Sequence, residues 1–247
     1  MKRLALILFG LASLPVAGTA AECREEGYAD NAYSICEVDP TTETLQLFLY
    51  DAEGAPFGHF GNIDKALLES GKRLGFAMNA GMYHDDRAPV GYYIEDGKQF
   101  QRVISSAGPG NFGLLPNGVF CLREGRADVF ETSRFLSEAP ACTSATQSGP
   151  MLVIDGALHP RFLIDSTSRY IRNGVGTTAD GKRAVFVISD NTVTFYEFGS
   201  LFRDHLKLPN ALYFDGNVSR LRAPDLGRDD AGFSDLGPII GVVRDAE

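Results

Sequence analysis

Short runs of apolar, β-branched and aromatic residues, cut by glycine-containing turns, dominate the chain. Residues 45–50, 74–78, 90–94, 119–122, 151–154, 184–188, 193–196, 211–214 and 239–243 each have the length and composition of a strand. Between them stand Asp96-Gly97, Asn117-Gly118, Glu124-Gly125, Asp155-Gly156 and Asp180-Gly181. Asn-Gly and Asp-Gly pairs supply the positive φ angles that tight hairpins need. Helical spacing is rarer. Residues 62–70 place Ile63, Ala66 and Leu67 on one face with Gly71 as a stop, and 200–206 reads as a helix with Ser200 as N-cap and Pro209 beyond its end. A short third helix fits 133–137. The order is not a regular alternation of strand and helix. It predicts an α+β fold: a mainly antiparallel or mixed twisted sheet built from hairpins, with a few helices packed on it.

The first residues obey different rules. Lys2 and Arg3 precede an apolar stretch from Leu4 to Val16, and small residues follow at 17–21. This is the pattern of a secretory signal peptide cleaved near Ala20 or Ala21. The apolar run is roughly 13 residues, short of the ~20 that cross hydrocarbon. The expected organisation is therefore a signal peptide at 1–21 and a single domain at 22–247, secreted or periplasmic, with no membrane span after cleavage. Removing Lys2 and Arg3 leaves 23 − 2 = 21 basic residues against 32 acidic ones, a net charge of −11. Such a surface repels polyphosphate backbones, so nucleic acid is not an expected partner.

The even count of four cysteines, Cys23, Cys36, Cys121 and Cys142, suits two disulfides in an oxidising compartment. Proximity along the chain favours Cys23–Cys36 and Cys121–Cys142 among the three pairings. No two cysteines have the close spacing of a zinc site.

Familiar catalytic templates are missing: the sequence holds no GxSxG elbow, no GxxxxGK[ST] loop, no HExxH and no GxGxxG after a strand. The histidines His59, His84, His159 and His205 are scattered and read as surface or turn residues. What remains are polar residues where predicted strands meet glycine-rich loops: Asn79-Ala80-Gly81, Gln147-Ser148-Gly149-Pro150, Arg172 with Gly174 and Gly176, Asp180-Gly181, and Asp215-Gly216 with Ser219. A rigid strand end that hands over to a loop is where catalytic groups commonly sit.

In this order the residues resemble the phosphodiester glycosidase domain family, from about Leu74 to Val243, and the chain reads as a bacterial, secreted branch of it. The resemblance implies hydrolysis between the anomeric carbon of a sugar and a phosphate oxygen, with a small-molecule or glycan phosphodiester as substrate. Family members often read Asp-Gly-Gly-Gly-Ser where this chain reads Asp215-Gly216-Asn217-Val218-Ser219. Fewer glycines bring backbone N–H groups less closely against a phosphate.

Such a reaction needs a carboxylate to activate water or to stabilise positive charge at the anomeric carbon, and Asp215 is the first candidate. Asp180 is a second, although its Asp-Gly-Lys setting also suits a turn. Arg172 offers a planar fork for phosphate oxygens. Asn79 completes the expected catalytic set, with Gln147, Ser148, Gly149, Gly81, Gly216 and Ser219 as substrate-binding positions. Tyr83, Tyr92 and Tyr93 fit either a sugar face or the core. No cofactor or metal ligand is required, although His84-Asp85-Asp86 forms a compact acidic set that could hold a divalent ion. Two other readings stay open: a non-catalytic envelope module that binds glycans or sugar phosphates, and a metal-dependent phosphodiesterase.

Overall fold

The structure is a computed structural model that describes residues 21–216 and 218–246. The proposed signal segment up to residue 20, and Asn217 in the loop after Asp215, lie outside the described residues.

In chain order the strands are β1 (Glu22–Tyr28), β2 (Asn31–Val38), β3 (Thr44–Phe48), β4 (Lys72–Asn79), β5 (Tyr93–Glu95), β6 (Lys98–Gln101), β7 (Gly118–Arg123), β8 (Arg126–Glu131), β9 (Ser144–Ser148), β10 (Met151–Ile154), β11 (Ala157–Leu158), β12 (Asn173–Thr177), β13 (Ala184–Ser189), β14 (Asn210–Asp215), β15 (Leu221–Ala223), β16 (Arg228–Asp229) and β17 (Ile239–Asp245). They form three antiparallel sheets, in the orders β1-β2-β13-β12-β14-β10-β11, β16-β15-β4-β17-β3 and β6-β5-β9-β7-β8. The fold is α+β, as the sequence pattern predicts.

The sheets wrap one shared core. Each turns an apolar face inward: Phe186, Leu212 and Phe214 from the first, Phe76, Met78 and Ile240 from the second, Phe120, Leu122 and Val129 from the third. At its centre the Phe186 ring lies 5.2 Å from Phe76 and 5.8 Å from Phe120, so one ring from each sheet meets the others. The outward face of each sheet is covered in turn. Helix α1 (Phe60–Leu68) packs Phe60 and Ile63 against Leu74 and Ile239. Helix α2 (Thr132–Glu138) lays Phe135 on Val119 and Phe130. Helix α3 (Phe195–Ser200) and the π-helical turn Leu201–His205 that continues it cover Val185 and Val187 with Phe198, Leu201 and Phe202. Because both faces are buried, β13 reads as the unbroken apolar run Ala-Val-Phe-Val-Ile.

Three expectations, a strand, a helix cap and a turn, are corrected. The predicted strand at 193–196 is a helix start: Thr194 caps α3 through its side chain, and Glu197 reaches back to the Thr194 N–H. This reciprocal capping box outweighs the alternation of Val193 and Phe195. Ser200 is consequently the last residue of α3, not an N-cap. Asn117-Gly118 is not a hairpin turn, because Gly118 opens β7; a side chain there would meet Met151 Sδ at 2.3 Å.

The cysteines pair as Cys23–Cys36 and Cys121–Cys142. Among the described residues no helix is long and apolar enough to cross a membrane.

Two predictions follow from the core. Phe186→Ala removes the ring that joins the sheets and is expected to cost about 3–5 kcal/mol, read by urea unfolding, with a single cooperative transition before and after. Glu95 is largely buried and accepts the Tyr93 hydroxyl at 2.8 Å. Burial pushes its carboxyl up from the ordinary 4.5 to about 7. The folded protein thus holds this proton more tightly than the unfolded chain, and the stabilisation is full below the ordinary value and lost as pH rises through about 7. Raising pH from roughly 5 to roughly 8 should lower stability by on the order of 1–3 kcal/mol, a loss that Glu95→Gln should suppress.

Candidate active site

Strands β4 and β14 end, and β12 begins, at one edge of the molecule. There Asn79 closes β4, Asn173 opens β12 and Asp215 closes β14. Asn79 and Asn173 are fully buried and face each other as reciprocal amides. Asn173 Nδ2 donates to Asn79 Oδ1 at 3.1 Å and to the Asn79 carbonyl at 2.8 Å, while Asn79 Nδ2 donates back to Asn173 Oδ1 at 3.4 Å. The same Asn173 oxygen accepts the Asp215 N–H at 3.1 Å and the Ser219 hydroxyl at 3.4 Å, and Asn79 Oδ1 accepts the Arg220 N–H at 2.9 Å. Ser219 also donates to the carbonyls of Asp215 and Ile171. Two side-chain amides thereby fix the loop after β14.

The aim of Asp215 comes from an irregularity in that strand. Register shifts between Asn173↔Asp215 and Gly174↔Tyr213, leaving Phe214 as an extra residue. Such a bulge bends a strand end and re-aims the following side chain. Asp215 lines a cavity of about 590 Å³, together with Tyr83, His84, Asp85 and Arg87 from the loop after β4, Asn111 and Phe112, and Ser234 and Asp235 from the loop before β17. Burial and the nearby Asp215 carboxylate push the Tyr83 hydroxyl up, so it stays protonated, and it donates to the Asp235 carbonyl at 3.3 Å. Asp235 itself pairs with His59 at 3.0 Å.

Gly216 follows Asp215 because nothing larger fits: a β-carbon there would meet the Tyr213 hydroxyl at 2.0 Å. Gly81 takes φ +146°, and a β-carbon would meet Thr146 Oγ1 at 2.9 Å.

The other expected site residues stand behind the cavity wall. Arg172 is 1% exposed. Its guanidinium lies 3.7 Å from the Phe195 ring centroid and donates to the carbonyls of Val193 (2.9 Å) and Ser168 (3.1 Å) and to the Tyr213 hydroxyl (3.4 Å). Tyr213 stands between Arg172 and the Gly216 backbone, so the guanidinium does not line the cavity that Asp215 lines. The Gln147 amide accepts from the N–H groups of Tyr92 and Ile104 and donates to the Ile104 carbonyl and Thr132 hydroxyl. It pins backbone. Ser148 donates to the Phe214 carbonyl at 2.8 Å, beside Gly149 and its cis peptide to Pro150. Asp180 sits in the exposed turn between β12 and β13, at the far end of β12 from Arg172, where it accepts from Thr178 and Lys182. Tyr93 is core and Tyr92 packs on Phe135.

Of the three tyrosines offered for a sugar face or the core, Tyr83 is the one that lines the cavity, and reasoning from sequence missed Asn173, Asn111 and Arg87. A buried Asn-Gly beside Arg172 was the available signal for the first. Among the described residues no group of three or more His, Cys, Asp or Glu is arranged to hold a metal ion, and Asp86 of the acidic loop accepts the Ala88 N–H at 3.0 Å.

Asp215 at a bulged strand end and Tyr83 thus line one cavity, walled mostly by loops, at the edge of an α+β fold. The family model for phosphodiester glycosidase matches residues 72–224, and the chain belongs to that family. It is 33% identical over 226 residues to the uncharacterized protein YigE of Escherichia coli (strain K12), covering 90% of this chain and 85% of that one. Among solved structures it is similar to the catalytic domain of zebrafish N-acetylglucosamine-1-phosphodiester alpha-N-acetylglucosaminidase, auto-inhibited by its pro-peptide: TM-score 0.61 at 12% identity, over 90% of this chain and 82% of that one. A Synechocystis protein gives a TM-score of 0.60, also at 12% identity, over 90% of this chain and 61% of that one.

The amide pair generates a prediction of its own. Asn173→Ala removes the acceptor shared by the Asn79 side-chain N–H and the Asp215 N–H and should cost about 2–4 kcal/mol in urea unfolding.

Proposed function

We propose that this protein is an exported hydrolase that cleaves a sugar-1-phosphodiester between the anomeric carbon and the phosphate oxygen. The observation that carries the reading is the placement of Asp215, at a bulged strand end on a cavity of about 590 Å³ with Tyr83, Asn111 and Arg87 around it, in a chain of the phosphodiester glycosidase family. The zebrafish relative acts on an N-acetylglucosamine-1-phosphodiester by its name, which supports a glycosyl phosphodiester as the substrate class.

The chemistry suits the groups present. A phosphate ester leaves as a stable anion, so the departing oxygen needs little proton donation and the main requirement lies at carbon. Asp215 would either take a proton from the attacking water or stabilise positive charge at the anomeric centre. Its backbone is held on both sides, N–H by Asn173 and carbonyl by Ser219, which limits the loss of alignment during turnover. Tyr83, protonated and half-buried, offers a ring face to a sugar. Asn79, Gln147, Ser148, Gly149, Gly81, Gly216 and Ser219 build and brace this edge, and Arg172 acts on it through Tyr213. Export follows from the signal-like residues at 1–21 and agrees with two disulfides.

Hydrolysis of glycosyl phosphodiesters in oxygen-18 water tests the reading. Label is expected in the sugar, and Asp215→Asn should lower kcat by about 10²–10⁴ while leaving the melting temperature close to that of the parent. Label confined to phosphate would place the attack at phosphorus and sink the proposal.

A further inference from the structure

We propose that Arg87 is the residue that binds the phosphate of the substrate. The inference rests on the phosphodiester reading of the cavity and goes beyond it by assigning the anion subsite to the loop after β4.

Among the described residues lining the cavity, Arg87 is the one arginine or lysine. The two neighbouring cations are committed elsewhere. Arg172 is buried and spends its donors on two carbonyls and Tyr213. Arg220 spends Nη1 and Nη2 on the Ser234 carbonyl and hydroxyl, at 2.8 and 3.0 Å. Arg87 is held lightly by comparison: Nη1 donates to the Asp85 carbonyl at 3.0 Å, and the guanidinium stands 5.5 Å from the Tyr83 ring centroid. Its Nε is buried and has no hydrogen-bond acceptor within reach among the described residues. That leaves the guanidinium weakly anchored, and Nη2, which donates to no described residue, can bind an anion in the cavity with charge-assisted bonds.

The backbone adds an independent observation. Arg87 has φ +70°. It sits in a tight hairpin in which the Arg87 N–H donates to the His84 carbonyl, the His84 N–H donates to the Ala88 carbonyl, and Tyr83 bridges to Pro89. A turn of two residues followed by one in the left-handed region is the site where glycine fits at least cost. This chain, which carries 27 glycines, places an arginine there instead. Of the seven described non-glycine residues with positive φ, Arg87 is the one that lines this cavity, which places its backbone strain beside Asp215's pocket. The guanidinium stands over the Tyr83 ring, in a cavity that Asp215 also lines. The two groups needed at the ends of one scissile bond, an anion receptor and a carboxylate, thus belong to the same cavity.

The strain and the binding role give opposite signs in one variant. Arg87→Gly in the mature protein relieves the backbone and should raise Tm by about 2–4 °C. It should also weaken binding of inorganic phosphate, measured by isothermal titration calorimetry, by tenfold or more, with Arg87→Lys falling between glycine and the parent. Equal phosphate affinity in the parent and Arg87→Gly, or no phosphate binding by the parent at millimolar concentration, would overturn the assignment. The assignment and the underlying reading fail separately. Turnover of a glycosyl phosphodiester with kcat and KM unchanged in Arg87→Gly removes Arg87 and leaves the enzyme. Phosphate binding that depends on Arg87, in a protein that cleaves no such diester, leaves the anion site and removes the enzyme.

Discussion

The amides of Asn79 and Asn173 hydrogen-bond to each other in a place from which water is excluded, and in doing so they join two sheets that share no ladder at that edge. Every other feature of the site leans on this contact. Asn173 Oδ1 holds the Asp215 N–H and the Ser219 hydroxyl, and Asn79 Oδ1 holds the Arg220 N–H. The loop that follows β14 is therefore not an adaptable connection. It is a segment whose backbone groups are already satisfied by side chains from two other strands, and such buried networks specify one arrangement because half-satisfied alternatives are costly. The carboxylate that faces the cavity inherits its position from that specification.

The core explains why the amides can meet. Three sheets close round one cluster of aromatic rings, with Phe76, Phe120 and Phe186 as one contribution from each. With the inward faces packed to that degree, the ends of β4, β12 and β14 have little freedom to slide past one another. Loops rooted at those ends can then differ in length and composition without disturbing the frame, which is the usual division between a rigid scaffold and a variable site. At 12% identity to structures with TM-scores of 0.60 and 0.61, it is the frame that is shared.

Much of this frame is legible from hydrophobic pattern, and the exceptions have physical reasons. Strand β10 is read residue for residue as Met151–Ile154, and α1 and α2 fall within two residues of the helical spacing. Strands β9 and β12 escape because their sequences, Ser-Ala-Thr-Gln-Ser and Asn-Gly-Val-Gly-Thr, carry almost no apolar signal although every residue is buried. Their side chains are consumed by hydrogen bonds, as Gln147 and Ser148 show, or omitted for close approach, as at Gly174 beneath the Leu212 carbonyl. The hairpin joining β1 and β2 turns at Ala29 and Asp30, both with positive φ and neither a glycine, so turn chemistry gives no warning. Of the polar landmarks, Asn79, Asp215 and Ser219 meet at one edge of the molecule, while Asp180 lies at the far end of β12. Polarity alone could not separate residues that face the cavity, such as Asp215, from those that brace it, such as Gln147. That distinction depends on which partners each amide finds across the sheets.

Arg172 is a buried cation whose partners are two backbone carbonyls, a phenol oxygen and aromatic faces. Burial lowers its pKa from the ordinary value, yet a guanidinium remains charged in proteins and has no capacity to accept. Its contact with Tyr213 must therefore run from Nη1 to the phenol oxygen. The Tyr213 hydroxyl, held protonated by burial, also interacts with the side chain of Asn111 on the cavity wall, and the Gly216 backbone approaches it. The desolvated guanidinium is kept on the three faces of Phe195, Tyr170 and Tyr213. A lysine could not replace it, because a compact ammonium has neither the planar stacking surface nor the three donor directions used here.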